Sequence, residues 1–155
     1  MTTPDIDDEP LDSTVARELI ACLDAELTGQ YPEPGATHFR LDATEVLPGR
    51  GAFVVARLGG EPVGCGAFRM IEPGVAELKR MYVKRSARGH GVGRSLLLGL
   101  EERARSAGAT RFVLETGVRQ HEALALYEGA GYRRVPSFGE YVASPLSQCM
   151  AKEIR

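Results

Sequence analysis

One stretch of the chain combines glycine with positive charge. Arg88-Gly89-His90-Gly91-Val92-Gly93 lies within residues 79–94, which hold Lys79, Arg80, Lys84, Arg85, Arg88 and Arg94 and no acid. Glycine lets backbone approach an anion without a Cβ in the way, and a helix N-terminus offers unpaired N–H groups with partial positive charge. The pattern points to a phosphate-bearing ligand. It is not a Walker loop, because no Gly-Lys-Ser/Thr follows. Nor is it a dinucleotide fingerprint, since the strand before it closes a meander rather than opening a βαβ unit. Three side chains are candidates for acid–base work. Period-two alternation sets Glu77 on one strand face with Lys79, Met81 and Val83, although a carboxylate near bases is as often an ion-pair partner. Glu115, in a short apolar strand, is either a second base or an anchor for a nearby loop. Tyr127 shares a helical face with Gln120 and Leu124, and spacing alone reads it as a core aromatic.

The remaining reactive types are less pointed. His38 falls in a loop that would border a pocket, His90 would add to the phosphate environment, and His121 at a helix start reads as solvated. Cys22, Cys65 and Cys149 are far apart and odd in number, so they make no disulfide framework. They read as small buried hydrophobes in a reducing compartment. No CxxC, HExxH or paired His/Cys spacing marks a metal site.

These residues need elements to hold them. Val15, Leu19, Ile20, Leu23 and Leu27 recur at helical spacing over residues 13–28, with Asp12 or Ser13 able to cap the start. Gly29 and YPEPGAT then open a loop. Three β-prone runs at 52–58, 62–70 and 75–83, separated by Gly59-Gly60-Glu61 and Pro73-Gly74, predict an antiparallel meander. The period then changes: Val92, Leu96, Leu97, Leu100, Ala104 and Ala107 form a helical stripe that stops at Gly108. Arg94, Glu101, Glu102 and Arg105 fall on its surface, with Glu101 paired to Arg105 one turn on. RFVLET at 111–116 is a strand covered on both faces. A helix at 120–128 and strands at 132–135 and 146–154 complete the chain. The order predicts an α/β (α+β) layer around a mixed sheet, not a doubly wound one. Residues 1–12 hold Asp5, Asp7, Asp8, Glu9 and Asp12 without a base and read as a flexible, frayed lead-in. Residues 13–155 then form one domain.

Bulk properties agree. A chain of 155 residues, 43% hydrophobic and 26% charged, suits one soluble domain. Its net charge of −2 argues against a nucleic-acid coat or a polybasic membrane binder. No apolar run approaches the roughly 20 residues of a membrane span. MTTPDIDDEP lacks the basic start and apolar stretch of a signal peptide. A small cytoplasmic enzyme or binding domain is the expectation.

RGHGVG fits the R/Q-x-x-G-x-G/A signature of the GNAT superfamily of acyl-CoA-dependent N-acyltransferases. From about residue 52 onward the chain resembles that family: AELKRMYV precedes the loop, a Leu-rich helix follows it, and FVLETG and ALALYEGAGY come in order. The region before residue 52 is variable in the family and usually shapes the acceptor site. The resemblance implies a single-domain fold whose central, mostly antiparallel mixed sheet splays open to hold acetyl-CoA as co-substrate, with no metal. It implies that Arg88 and the amides of Gly89, His90, Gly91, Val92, Gly93 and Arg94 hold the CoA pyrophosphate. Met81, Tyr82 and Val83 would offer main-chain groups to the pantetheine arm and, near Met81, to the oxyanion. Gln120 stands where relatives commonly have an Asn on the CoA arm. Glu77 matches the base position of the histone-modifying branch, Glu115 is the runner-up, and Tyr127 matches the general acid. The implied reaction is direct acetyl transfer to a primary amine on a small molecule or peptide. The alternatives are a CoA-binding regulatory module without turnover, or an acyltransferase with another donor or acceptor. Glu33, Asp42, Glu45 and Glu140 would favour a cationic amine unless they are simply solvated loop charges. Dimers are common in the family, which leaves a homodimer open.

Overall fold

The computed structural model describes residues 3–33 and 41–154. His38 lies outside them. The elements are β1 (Asp5–Asp8), α1 (Thr14–Gln30), β2 (Gly51–Leu58), β3 (Glu61–Glu72), β4 (Val75–Val83), α2 (Val92–Ser106), β5 (Arg111–Gly117), α3 (His121–Gly129), β6 (Arg133–Val135) and β7 (Ser147–Glu153). Short 3₁₀ turns stand at Ala43–Val46, Arg85–Ala87 and Gly139–Tyr141. The strands form one seven-stranded sheet in the order β1-β2-β3-β4-β5-β7-β6. All neighbours are antiparallel except β4 and β5. Among the described residues no helix is long and apolar enough to cross a membrane.

Each face of the sheet is covered. Ser13 caps α1 by accepting from the Ala16 amide at 3.0 Å, and Ala16, Leu19 and Leu23 pack it onto the face bearing Phe53, Val55, Cys65 and Ala67. The opposite face carries the larger core, where Leu96, Leu97 and Leu100 of α2 meet Val54, Phe68, Phe112 and Met150.

Two local readings of the sequence are corrected here. Residues 5–8 are not frayed: they pair with β2 from Asp5↔Arg57 to Asp8↔Val54. Ile6 reaches the α2 side, while Asp8 meets Arg103 at 2.8 Å and Glu9 meets Arg57 at 3.1 Å. The acids that suggested a solvated tail are therefore ion-pair partners on an edge strand. Glu101 is also not on the surface but fully buried, accepting from the Tyr132 hydroxyl at 2.7 Å and the Lys152 ammonium at 3.1 Å. Its expected partner Arg105 stands at 3.8 Å.

A third correction shapes the site. Cys65 pairs with Tyr82, but Ala67 pairs with Lys79, so β4 contains an extra residue. Arg80 takes φ +55, and its guanidinium meets Asp24 of α1 at 3.1 Å. The bulge reverses the alternation. Glu77, Lys79 and Tyr82 share the α1 face, whereas Leu78, Met81 and Val83 face α2. Glu77 and Met81, expected on one face, are on opposite ones.

Candidate active site

The parallel β4–β5 pairing covers only Val75–Glu77 against Arg111–Val113. Beyond it the two strands separate, leaving the facing edge of β4 without a ladder partner from Leu78 onward. A cleft of about 950 Å³ occupies the gap, walled by β4, β5, the C-terminal half of α1, the start of α2 and α3.

One end of the cleft is the β4–α2 loop. Gly89 and Gly91 adopt φ +84 and +78, in the left-handed region that glycine enters without strain. Gly91 is the N-cap of α2, and the amides of Val92, Gly93 and Arg94 behind it have no acceptor within the helix. Gly93 is glycine for a packing reason, since a Cβ there would come within 3.1 Å of Leu126 on α3. Arg94 and Arg85 are exposed at this end and His90 lies off the cleft wall. The Arg88 guanidinium is already engaged. It donates to the Val83 carbonyl at 3.0 Å and to both oxygens of Glu26 at 2.9 and 2.8 Å, joining α1 to the loop. Among the described residues Arg85 and Arg94 have no acidic partner, so with the helix amides they are the groups at this end that could meet an anion.

Along the middle run Met81, Tyr82 and Val83, all on the cleft wall. Opposite them Gln120 uses its Oε1 to accept from the Gly117 amide at 2.8 Å, which closes the end of β5. Tyr31, at the C-cap of α1, accepts from the Arg119 amide at 2.7 Å. A Cβ on residue 117 would lie 1.9 Å from the Tyr31 hydroxyl oxygen, so glycine at 117 is what allows α1 to dock against β5.

The far end holds a chain of polar side chains, of which Glu77, Lys79 and Tyr141 are buried. Arg69 spans Glu45 and Glu77, the latter at 2.9 Å. Glu77, only 1% exposed, accepts from the Tyr141 hydroxyl at 2.7 Å. The Lys79 ammonium donates to Tyr141 at 2.9 Å and to Glu140 at 3.3 Å. Glu115 stands across the opening and accepts from Ser147 at 2.6 Å, with Ser147 also bonded to Ser144. Burial, more than any other influence, raises the Glu115 carboxyl above its usual range, and the carboxylates of Glu77 and Glu140 add to it against Ser147 and Lys79. Tyr127 lines the same chamber, 4% exposed, its hydroxyl without a hydrogen bond among the described residues. Burial, aided by the Glu115 charge, pushes its phenol well above the ordinary tyrosine value.

A family model for the acetyltransferase (GNAT) family matches residues 16–132. The chain belongs to the GNAT family. It is an acyltransferase similar along its length to the IAA acetyltransferase of Azospirillum brasilense, with 40% identity over 148 residues and 95% of each chain covered. A Klebsiella pneumoniae structure assigned as an acyl-CoA N-acyltransferase superposes with a TM-score of 0.84 at 35% identity, covering 99% of both chains. The PaiA N-acetyltransferase of Thermoplasma acidophilum, solved in complex with coenzyme A, shares the fold alone: TM-score 0.72, 16% identity, 97% of this chain and 99% of that one.

Of the site residues expected from sequence, this GNAT acetyltransferase brings Met81, Tyr82, Val83, Gly89, Gly91, Val92, Gly93, Arg94, Gln120 and Tyr127 to one cleft. Arg88 lies there with its charge matched by Glu26. Glu77 is not on the wall, since Arg69 and Tyr141 cover its carboxylate; of the two candidate bases it is Glu115 that lines the cleft, where Glu26 and Glu122 are the other lining acids. The loop acids are likewise engaged, Glu45 with Arg69, Glu140 with Lys79 and Glu33 with Arg119 at 2.7 Å. Sequence reasoning missed Tyr31, Lys79 and Tyr141. Only Lys79 left a trace, as part of the basic run. Cys65 and Cys149 are buried, with burial pushing the Cys65 thiol up to about 12, while Cys22 is exposed on α1.

Proposed function

We propose that this acetyltransferase moves the acetyl group of acetyl-CoA to a primary amine in a direct ternary complex. One observation carries the reading: the open edge of β4 runs from a cradle of unpaired helix amides to a chamber holding a carboxyl and a phenol. The cradle fits a pyrophosphate, because glycine at 89 and 91 leaves the loop backbone bare and the first-turn amides of α2 lack partners. The free main-chain edge at Met81–Val83 suits an amide-bearing arm, and the bulge at Arg80 interrupts the ladder beside Met81, whose amide would face the developing oxyanion.

Glu115, rather than Glu77, takes the amine proton in this reading. It lines the cleft, and a carboxyl raised by burial is the stronger base. Glu77, held between Arg69 and Tyr141, is a positioning residue. The neutral amine attacks the thioester carbon, forming the C–N bond. The tetrahedral oxyanion rests on the Met81 amide. Collapse breaks the C–S bond while Tyr127 gives its proton to sulfur, and the nitrogen releases its second proton to restore the phenol. The three free cysteines fit a cytoplasmic setting.

The test is release of free thiol from acetyl-CoA against a panel of amines. Acetyl-CoA binding by calorimetry without thiol release on any amine would make the chain a CoA-binding module and end the reading.

A further inference from the structure

The acceptor end of the cleft holds a buried cation whose presence acetyl transfer itself does not require. The parallel register, Glu77↔Val113 at its last rung, carried two residues further sets Lys79 of β4 against Glu115 of β5 on the α1 face, one on each lip of the opening. The Lys79 side chain is 6% exposed and lines the cleft. An ammonium offers three N–H donors. Among the described residues Tyr141 takes one and Glu140 takes another at a long 3.3 Å, so one donor remains without a partner. Burying an ammonium costs several kcal/mol unless it is closely paired.

The pairing is lopsided. Tyr141 is fixed from behind, because its own proton goes to Glu77. Glu140 is different: its side chain is 44% exposed, on a 3₁₀ turn whose Gly139 takes φ +55. Among the described residues the one carboxylate hydrogen-bonded to this cation is thus exposed and replaceable, while Glu45 and Glu115 act on it only through their charge. Another carboxylate arriving through the cleft could take the place of Glu140 and find the free N–H as well.

Resting on the acetyl-transfer reading, we infer that the preferred acceptor is an amine bearing its own carboxylate, an amino acid in the broad sense, with Lys79 reading the carboxylate while the amine faces Glu115. The chamber presents a cation and a carboxyl on opposite lips, which complements a zwitterion better than a plain alkylamine. Arg80 and Arg119 do not compete for the role, being paired with Asp24 and Glu33.

The experiment compares glycine, β-alanine and 4-aminobutyrate with their amides and with butylamine, reading thiol release from acetyl-CoA. At least one amino acid should exceed its amide by about 10- to 100-fold in kcat/KM, as for a hydrogen bond to a charged group. Lys79→Met should bring that ratio close to one, and Lys79→Arg should keep part of it. Glu140→Gln, which removes the resident carboxylate, should lower KM for the amino acid and leave KM for butylamine where it was. Melting temperature and acetyl-CoA calorimetry confirm that each variant is folded. Turnover of amides and butylamine at rates equal to the amino acids would overturn the inference and leave acetyl transfer standing. No turnover of any amine would instead strike at acetyl transfer itself.

Discussion

Replacing Glu115 by Gln should cut activity and, unusually for a buried site, stabilise the protein. The side chain keeps its shape and can still accept from Ser147, so acetyl-CoA binding should not change. Activity depends on the amine proton. An alkylamine with the pKa of a lysine, about 10.4, is neutral in roughly one molecule per thousand at pH 7.4. A positioned base supplies about 10²–10⁴-fold, and a loss of about 10²-fold in kcat/KM at pH 7.4 is expected. The loss should shrink by about tenfold per pH unit as the amine deprotonates itself. Stability moves the other way. Burial raises the native Glu115 carboxyl above its unfolded value, so between those two values the native state binds more protons than the unfolded one. Stability contributed by this group is therefore present at low pH and lost as pH rises through the native value. Glutamine cannot ionise, so the variant's melting temperature should match the parent's near pH 4.5 and exceed it at pH 7.5. Rate profiles from pH 6 to 10 and calorimetric melting at the two pH values test both halves. An equal loss of activity at every pH, or the pH-dependent loss appearing in Glu77→Gln instead, would refute the assignment.

Glu77→Gln should behave as a structural change: it weakens the contacts to Arg69 and Tyr141, costs about 1–3 kcal/mol, and lowers the melting temperature by roughly 2–10 °C. Tyr127→Phe should lower kcat by roughly ten- to a thousand-fold with melting temperature and acetyl-CoA affinity nearly unchanged, because the hydroxyl has no partner to lose; normal kcat would remove the acid role. Gly117→Ala should destabilise strongly, since its Cβ falls 1.9 Å from the Tyr31 oxygen; a melting temperature within a degree of the parent would show that α1 does not need that docking. Arg94→Glu should weaken acetyl-CoA binding in calorimetry and flatten its salt dependence, whereas undiminished binding would detach the cradle from the exposed bases.

Much of the fold was legible because its signals are periodic. The meander, the Leu96–Leu97–Leu100 stripe and the apolar β5 run each follow from side-chain spacing, and the observed bounds differ by a residue or two. The glycine-rich end of the cleft was legible for a similar reason: glycines and bases are contiguous there, and a helix start is a local event. The far end was not. Lys79, Tyr141, Glu115 and Ser147 come from separate strands and a 3₁₀ turn, and they meet only because β4 and β5 part after Glu77. The bulge at Arg80 had no sequence mark at all. No glycine announces it, and strict alternation placed Glu77 beside Met81. Likewise, β1 hid behind its acids, since a single Ile6 among aspartates carries no visible period.

Among the described residues Glu77 and Glu101 are buried and Glu115 is half-buried, and burial alone does not separate their roles. The decisive quantity is how much of the lost hydration each has recovered. Glu101 receives a phenol and an ammonium, with Arg105 nearby, deep under α2 and away from the cleft. Glu77 receives a guanidinium and a phenol behind the cleft wall. Both are charges whose removal from water is matched by strong donors, as structural carboxylates require. Glu115 receives one serine hydroxyl, and the Lys79 charge acts on it against the carboxylates of Glu77 and Glu140. A carboxyl with a single hydroxyl donor is weakly supported, and glutamine, which keeps the bond to Ser147, should fold there at least as well. The shortfall accords with the proposed reaction, in which a donor that is not part of the chain completes the site. An amine held at the open edge of β4 is such a donor, and its proton is what the reaction must remove.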